Sequence, residues 1–295
     1  MRRTFAPRCL CLDIETAADD QLALRKFAAW RPDTQKSLFL AGGQIAAALA
    51  RIDTLTEGSA FVVGHNVVRH DLPTLARLHP ELLLNCLLTV DTLELSPLAF
   101  PANPYHSLVK DYKLVRDSRS DPLKDAQLSF RLWADQHEAF TALRETGPDE
   151  LACHHFFLGR TGGSGLGSFF TNIREAMPPT ADEIRRRVPA LVLGKVCPNR
   201  LRAVLEEALA DVEAGRAFSY VLAWLRVSGG NSVLPPWVRL QFPTTSRQIR
   251  QLRESPCGDI NCPYCSVYLA PCKEMELPLK QNLRCRNRSR GDHGG

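Results

Sequence analysis

The chain has 295 residues, 44% of them hydrophobic, enough to fill the core of one large domain or two modest ones. That fraction excludes global disorder, and no apolar run approaches the length of a membrane span. A net charge of +5 permits a polyanionic partner without requiring one.

In chain order, MRRTFAPRCLCLDIET has basic residues followed by apolar ones, as a signal peptide would. Its apolar run is too short for one and Asp13 interrupts it, so a cytoplasmic protein is expected. Residues 8–16 read as a strand. Residues 21–42 read as two strands joined at a turn near Pro32-Asp33-Thr34, with a helix over residues 22–29 as the alternative. QIAAALARI, residues 44–52, has helix-forming composition. SAFVVGHN, residues 59–66, suits a buried strand. HDLPTLARLHP starts a short helix that Pro80 ends, and LLTVDT, residues 87–92, suits a further strand. YHSLVKDYKL is helical by spacing. So is the longer DPLKDAQLSFRLWADQHEAFTALRE, in which Asp121 precedes Pro122 at the first helical position. Strands first, then strands alternating with helices, predict an α/β domain ending near residue 145.

ETGPDE suits a linker. LGRTGGSGLGS, residues 158–168, lacks the Gly-Lys-Ser/Thr ending of a phosphate-binding loop, so a flexible connection is the better reading. Helices are expected at 180–188 and 200–227, and VRLQFPTT suits a short strand. Of the ten cysteines, Cys9, Cys11, Cys86, Cys153 and Cys197 sit among apolar residues and read as buried free thiols. Cys257, Cys262, Cys265, Cys272 and Cys285 crowd the C-terminus. The run Cys257-x4-Cys262-x2-Cys265, with Cys272 following, contains a Cys-x2-Cys knuckle that can wrap a structural Zn²⁺; reduced thiols are the alternative. The basic tail KQNLRCRNRSRGDHGG can touch phosphates without sequence preference, or be a solvated end.

The acidic residues raise a question of charge. Asp13 and Glu15 lie two apart on one face of the first strand, as a merely solvated strand end would also have them. Asp71 falls in the first turn of a helix, where the dipole favours it and capping is the simple role. Asp91 can cap or orient. Asp121 and Asp125 lie one helical turn apart, as on any solvated helix face. Brought together, Asp13, Glu15, Asp71 and Asp125 could not all stay ionised without a counter-charge. Two Mg²⁺ or Mn²⁺ ions about 3.5–4 Å apart would supply it, bind a phosphodiester and activate water.

In their order and contexts, DIET, GHNVVRHDLPTL and DPLKDA resemble the motifs of the DEDD (DnaQ-like) 3′–5′ exonuclease superfamily over about the first half of the chain. DTLEL also sits where that superfamily commonly has Asp-Thr-Leu. The resemblance implies an RNase H-like α/β fold with a mixed sheet over residues 5–145, and two-metal hydrolysis of terminal phosphodiesters in DNA. It makes Asp13 and Glu15 (first motif), Asp71 (second) and Asp125 (third) the catalytic, Mg- or Mn-ligating residues. His106 matches a position where the family often has a substrate-side residue; Asn66 is expected beside the substrate, in a structural rather than a catalytic role. The family's general base is a His five residues before the last Asp, or a Tyr four before; here those positions are Ser120 and Asp121. Neither suits proton abstraction at neutral pH. Turnover by metal-bound water alone, and nucleic-acid binding with little turnover, both remain open.

Beyond this domain a mostly helical region is expected over residues 146–250, a zinc-knuckle-like segment over 251–275 and a disordered basic tail over 276–295. NSVLPPWVRLQFPTTSRQIRQLRESPCGDINCPYC is similar to the linker region of bacterial proteins in which a DEDD exonuclease-like domain precedes a RecQ-type DNA helicase. This implies a chain truncated, split or frameshifted before the helicase. Its expected partners are DNA (single strands or 3′ ends) or RNA, and a RecQ-type helicase domain or chain, with no membrane.

Overall fold

The structure, a computed structural model, describes residues 7–17, 23–103, 121–162, 164–227 and 234–269. The helix expected at YHSLVKDYKL, together with His106, Ser120, Cys272, Cys285 and the basic tail, lies outside these residues. The chain divides into two compact units.

The first unit is built on five strands: β1 (Cys9–Thr16), β2 (Leu24–Arg31), β3 (Lys36–Ala41), β4 (Phe61–Gly64) and β5 (Leu88–Asp91). Their order is β3-β2-β1-β4-β5. β2 runs antiparallel to both its neighbours, while β1, β4 and β5 are parallel. The sheet is therefore mixed, and the hairpin reading of residues 21–42 holds. Arg31 fixes the turn with a fork onto Asp33, Nε to Oδ1 at 2.9 Å and Nη2 to Oδ2 at 2.7 Å.

Strand periodicity sorts β1 into two faces. Leu10, Leu12 and Ile14 join a core with Phe27, Ala29, Leu38, Leu40, Val62 and Leu75. Helices α1 (Gln44–Ala47), α2 (Leu49–Thr56) and α3 (Asp71–Leu78) supply Ile45, Ile52 and Leu75 to it. The single helix expected over residues 44–52 is thus two, broken at Ala48. Cys9, Cys11, Asp13 and Glu15 point to the other face, beside Trp30, which pairs with Cys11, and Phe61, which pairs with Cys9.

After β5 come α4 (Thr92–Ala99) and α5 (Pro122–Thr146), whose start agrees with the Asp121-Pro122 signal. Phe130 of α5 packs edge-on against Trp30 and Trp133 against Phe61, each at 5.3 Å between ring centroids. α5 therefore lies across the face that carries Asp13 and Glu15.

α6 (Pro148–Gly159) belongs to the second unit, but residues Thr161–Ile173 return to the first. This return contains most of the glycine-rich segment and all but the last residue of α7 (Leu166–Arg174). The glycine-rich segment is tied to the sheet edge at one point: Ser164 forms an isolated bridge with Thr89, and Gly165 N–H donates to Thr89 O at 2.6 Å. A Cβ at Gly165 would lie 2.9 Å from Val90 Cγ2, so only glycine allows that approach. Phe169 and Phe170 of α7 then pack edge-on against Phe140.

The second unit is helical. Besides α6 it holds α8 (Ala181–Leu191), α9 (Pro198–Ala210), α10 (Val212–Arg226), α11 (Pro236–Gln241), α12 (Pro243–Arg253) and α13 (Cys265–Tyr268). The helix expected at 200–227 is two, because Asp211 accepts the Ala214 N–H at 2.6 Å and starts α10 anew. VRLQFPTT is not a strand; it spans the end of α11 and the start of α12. α6, α8, α9 and α10 share a core that includes Phe157, Val188, Leu205, Phe218 and Leu222. Among the described residues no helix is long and apolar enough to cross a membrane.

Candidate functional site

In open α/β sheets, ligands bind beyond the carboxyl ends of the parallel strands. Here that end collects Asp13 and Glu15 on β1, His65, Asn66 and Asp71 just after β4, and Asp91 closing β5. The β1–β4 ladder stops at Cys11 paired with Val63, so β1 runs on beyond its neighbour. Asp71 uses the gap: its Oδ1 accepts the Ile14 N–H at 2.8 Å. A carboxylate on α3 is thus tied to the backbone between Asp13 and Glu15.

Burial raises the Asp71 carboxyl above its usual range, although His70 and the Ile14 N–H both favour its charged form. The Asp71 carboxylate in turn raises the half-buried His70, against its own burial, and the charge of Asp13 adds to the effect. Glu15 Oε2 pairs with Lys26 at 2.8 Å. Its Oε1 is buried and accepts no hydrogen bond among the described residues. Asp125, in the first turn of α5, is also buried. Hard carboxylate oxygens suit Mg²⁺ or Mn²⁺. Among the described residues, no three of Asp13, Glu15, Asp71 and Asp125 bring ligand atoms within 4.8 Å of one another, as one other cluster does.

Neighbouring residues hold the frame. Asp91 accepts the N–H groups of Asn66 (2.9 Å), Val68 (3.1 Å) and Leu93 (2.9 Å). Burial, then the charge of Glu94, push it up to about 7 against those bonds. Asn66 has φ +66, a left-handed turn residue whose carbonyl accepts from Arg69 and His70 N–H. Thr92 Oγ1 donates to Gly64 O, which leaves His65 Nδ1 as donor to Thr92 Oγ1 at 3.0 Å. Asp121 caps α5, its Oδ1 accepting the Lys124 N–H.

The tight cluster is in the second unit. The sulfurs of Cys197, Cys257, Cys262 and Cys265 all lie within 4.8 Å of one another and could hold a metal ion such as zinc. Three of these were expected as ligands; the fourth member is Cys197, which the sequence reading left as a buried free thiol, and the expected Cys272 lies outside the described residues. Nothing local in the sequence marks Cys197, which is 65 residues from Cys262.

A second constellation was missed altogether. His154 Nδ1 lies 2.6 Å from Ser219 Oγ, and its Nε2 lies 3.3 Å from Glu150 Oε1. The order suggests a nucleophile and its base, but His154 and Ser219 are fully buried, which makes the row a structural tie between α6 and α10.

Comparison with known proteins returns no match to this chain from any family model, curated protein or solved structure.

Proposed function

We propose that the first unit is a DEDD-type, RNase H-like 3′–5′ exonuclease domain that hydrolyses terminal phosphodiesters of DNA. The observation that carries this reading is the Asp71–Ile14 hydrogen bond, which joins the second acidic motif to the first at the carboxyl end of the central strand. The course of α5 across the Asp13 and Glu15 face supports it, because Asp125 starts that helix. Asp13, Glu15, Asp71 and Asp125 would hold two Mg²⁺ or Mn²⁺ ions, which supply the activated water and stabilise the leaving oxygen. Glu15 Oε1 is a donor atom ready for such an ion. DNA 3′ ends are the proposed substrate, and a RecQ-type helicase domain or chain the proposed partner.

A nucleic-acid-binding module with little turnover is the second reading, and Asp121 favours it. Burial, which raises its carboxyl, is outweighed by hydrogen bonds from Lys124 and the Leu123 N–H, so it sits below the usual range. A carboxylate whose proton affinity is lowered in this way is a weak general base.

The test is digestion of 5′-labelled single-stranded DNA by the purified chain with Mn²⁺, beside Asp13→Ala. Metal-dependent shortening that Asp13→Ala abolishes is the expected result. DNA binding without shortening would overturn the nuclease reading for the native chain and support the second. Ser120→His would then be expected to raise the rate, a positioned base contributing about 10²–10⁴-fold.

A further inference from the structure

We propose that Cys197, Cys257, Cys262 and Cys265 form a closed, structural Zn²⁺ site in which Cys197, not Cys272, is the fourth ligand. This stands apart from the nuclease reading. Four thiolates about 2.3 Å from a zinc ion at the corners of a tetrahedron lie about 3.8 Å apart. Here Cys197 Sγ is 3.7 Å from Cys262 Sγ, and Cys265 Sγ is 3.7 Å from Cys257 Sγ. Both edges have the length a single zinc ion demands, whereas a multi-iron cluster would hold its thiolates farther apart.

The surroundings are built for thiolates. Asn199 Nδ2 donates to Cys257 Sγ at 3.4 Å, and the Cys265 N–H to Cys262 Sγ at 3.5 Å. Backbone N–H groups of Arg200 and Asp259 point at Cys197 and Cys257. Four thiolates around one Zn²⁺ leave two negative charges, and N–H donors directed at sulfur offset that excess. The four thiols give up their protons as the metal binds.

The segment also needs such a centre. Its core holds Cys197, Cys262, Tyr264 and Cys265, with Cys257 and Leu269 packed against it. Ile260, Val267 and Tyr268 are exposed, so apolar burial contributes little. Polar contacts already bring the two segments into register: Cys197 N–H donates to Leu252 O, and Arg200 Nη2 to Pro256 O. With four protein thiolates no coordination position remains for a substrate, which makes the site structural.

The experiment is metal analysis of the full chain after dialysis against a weak chelator, for the native protein, Cys197→Ser and Cys272→Ser. One zinc per chain is expected in the native protein and in Cys272→Ser, with loss of most zinc in Cys197→Ser. Full zinc in Cys197→Ser, its loss from Cys272→Ser, or iron and sulfide in the native protein would overturn the proposal. Should Cys197→Ser not fold, Co²⁺ exchanged into the native protein gives a second readout. A sulfur-to-cobalt charge-transfer band of four-thiolate intensity supports the site, and an intensity for three or fewer overturns it.

Discussion

Asp91 is a single buried carboxylate that organises the backbone beyond the carboxyl ends of β4 and β5. It ties the loop after β4 to the start of α4 through three backbone N–H groups. Replacing it with Ala would strand those donors, at a cost of about 2–4 kcal/mol. Its folded pKa of about 7 lies well above that of an unfolded aspartate. The folded state therefore holds the proton more tightly. The stabilisation this gives is complete below about pH 4 and is lost as pH rises through about 7. Urea unfolding at pH 5 and pH 8 should show the native chain losing on the order of 2–4 kcal/mol more over that interval than Asp91→Asn does. Equal losses in the two proteins would contradict the assignment.

Among the elements, the sharp turn out of β4 depends on Gly64. A Cβ there would lie 2.7 Å from Val67 Cβ and 3.0 Å from Leu12 O, so Gly64→Ala should cost about 1–3 kcal/mol in thermal or urea unfolding. Asp211→Ala, which removes the cap of α10, should cost about 1 kcal/mol in the same measurement. These elements were unequally legible in the sequence. β1 to β5 could be read because alternation and short β-branched runs suit a strand better than any other element. The segment Val238, Leu240, Phe242 alternates just as well, yet Val238 is buried and Leu240 is 82% exposed in a helix. Pro236 and Pro243, each at a first helical position, outweighed the alternation. α6 escaped because it is buried nearly all round and has no polar face to set a period.

At the scale of the whole molecule, the acidic motifs could be read because each sits at a strand or helix end that local pattern predicts. Their joining through the Ile14 N–H could not, since a strand outrunning its neighbour is a fact of register. The cysteine quartet was legible only in its Cys-x4-Cys-x2-Cys part, because Cys197 reaches it through the packing of α9 beside α12. Removal of a metal held by the proposed site should therefore act locally. Hydrogen exchange after chelation is expected to rise in residues 254–269 and the first turn of α9, with β1 to β5 unchanged. Exchange that rose evenly along the chain would argue against a confined role.

The separation of Cys197 from its three companions also has a meaning in time. As the chain is made, Cys197 leaves the ribosome well before Cys257, Cys262 and Cys265 exist. The helices from α9 to α12 can form in that interval, with polar contacts such as Cys197 N–H to Leu252 O already joining their two ends. Only the synthesis of Cys265 completes the set, so a metal bound by the proposed site could fasten this region only after its helices have been made.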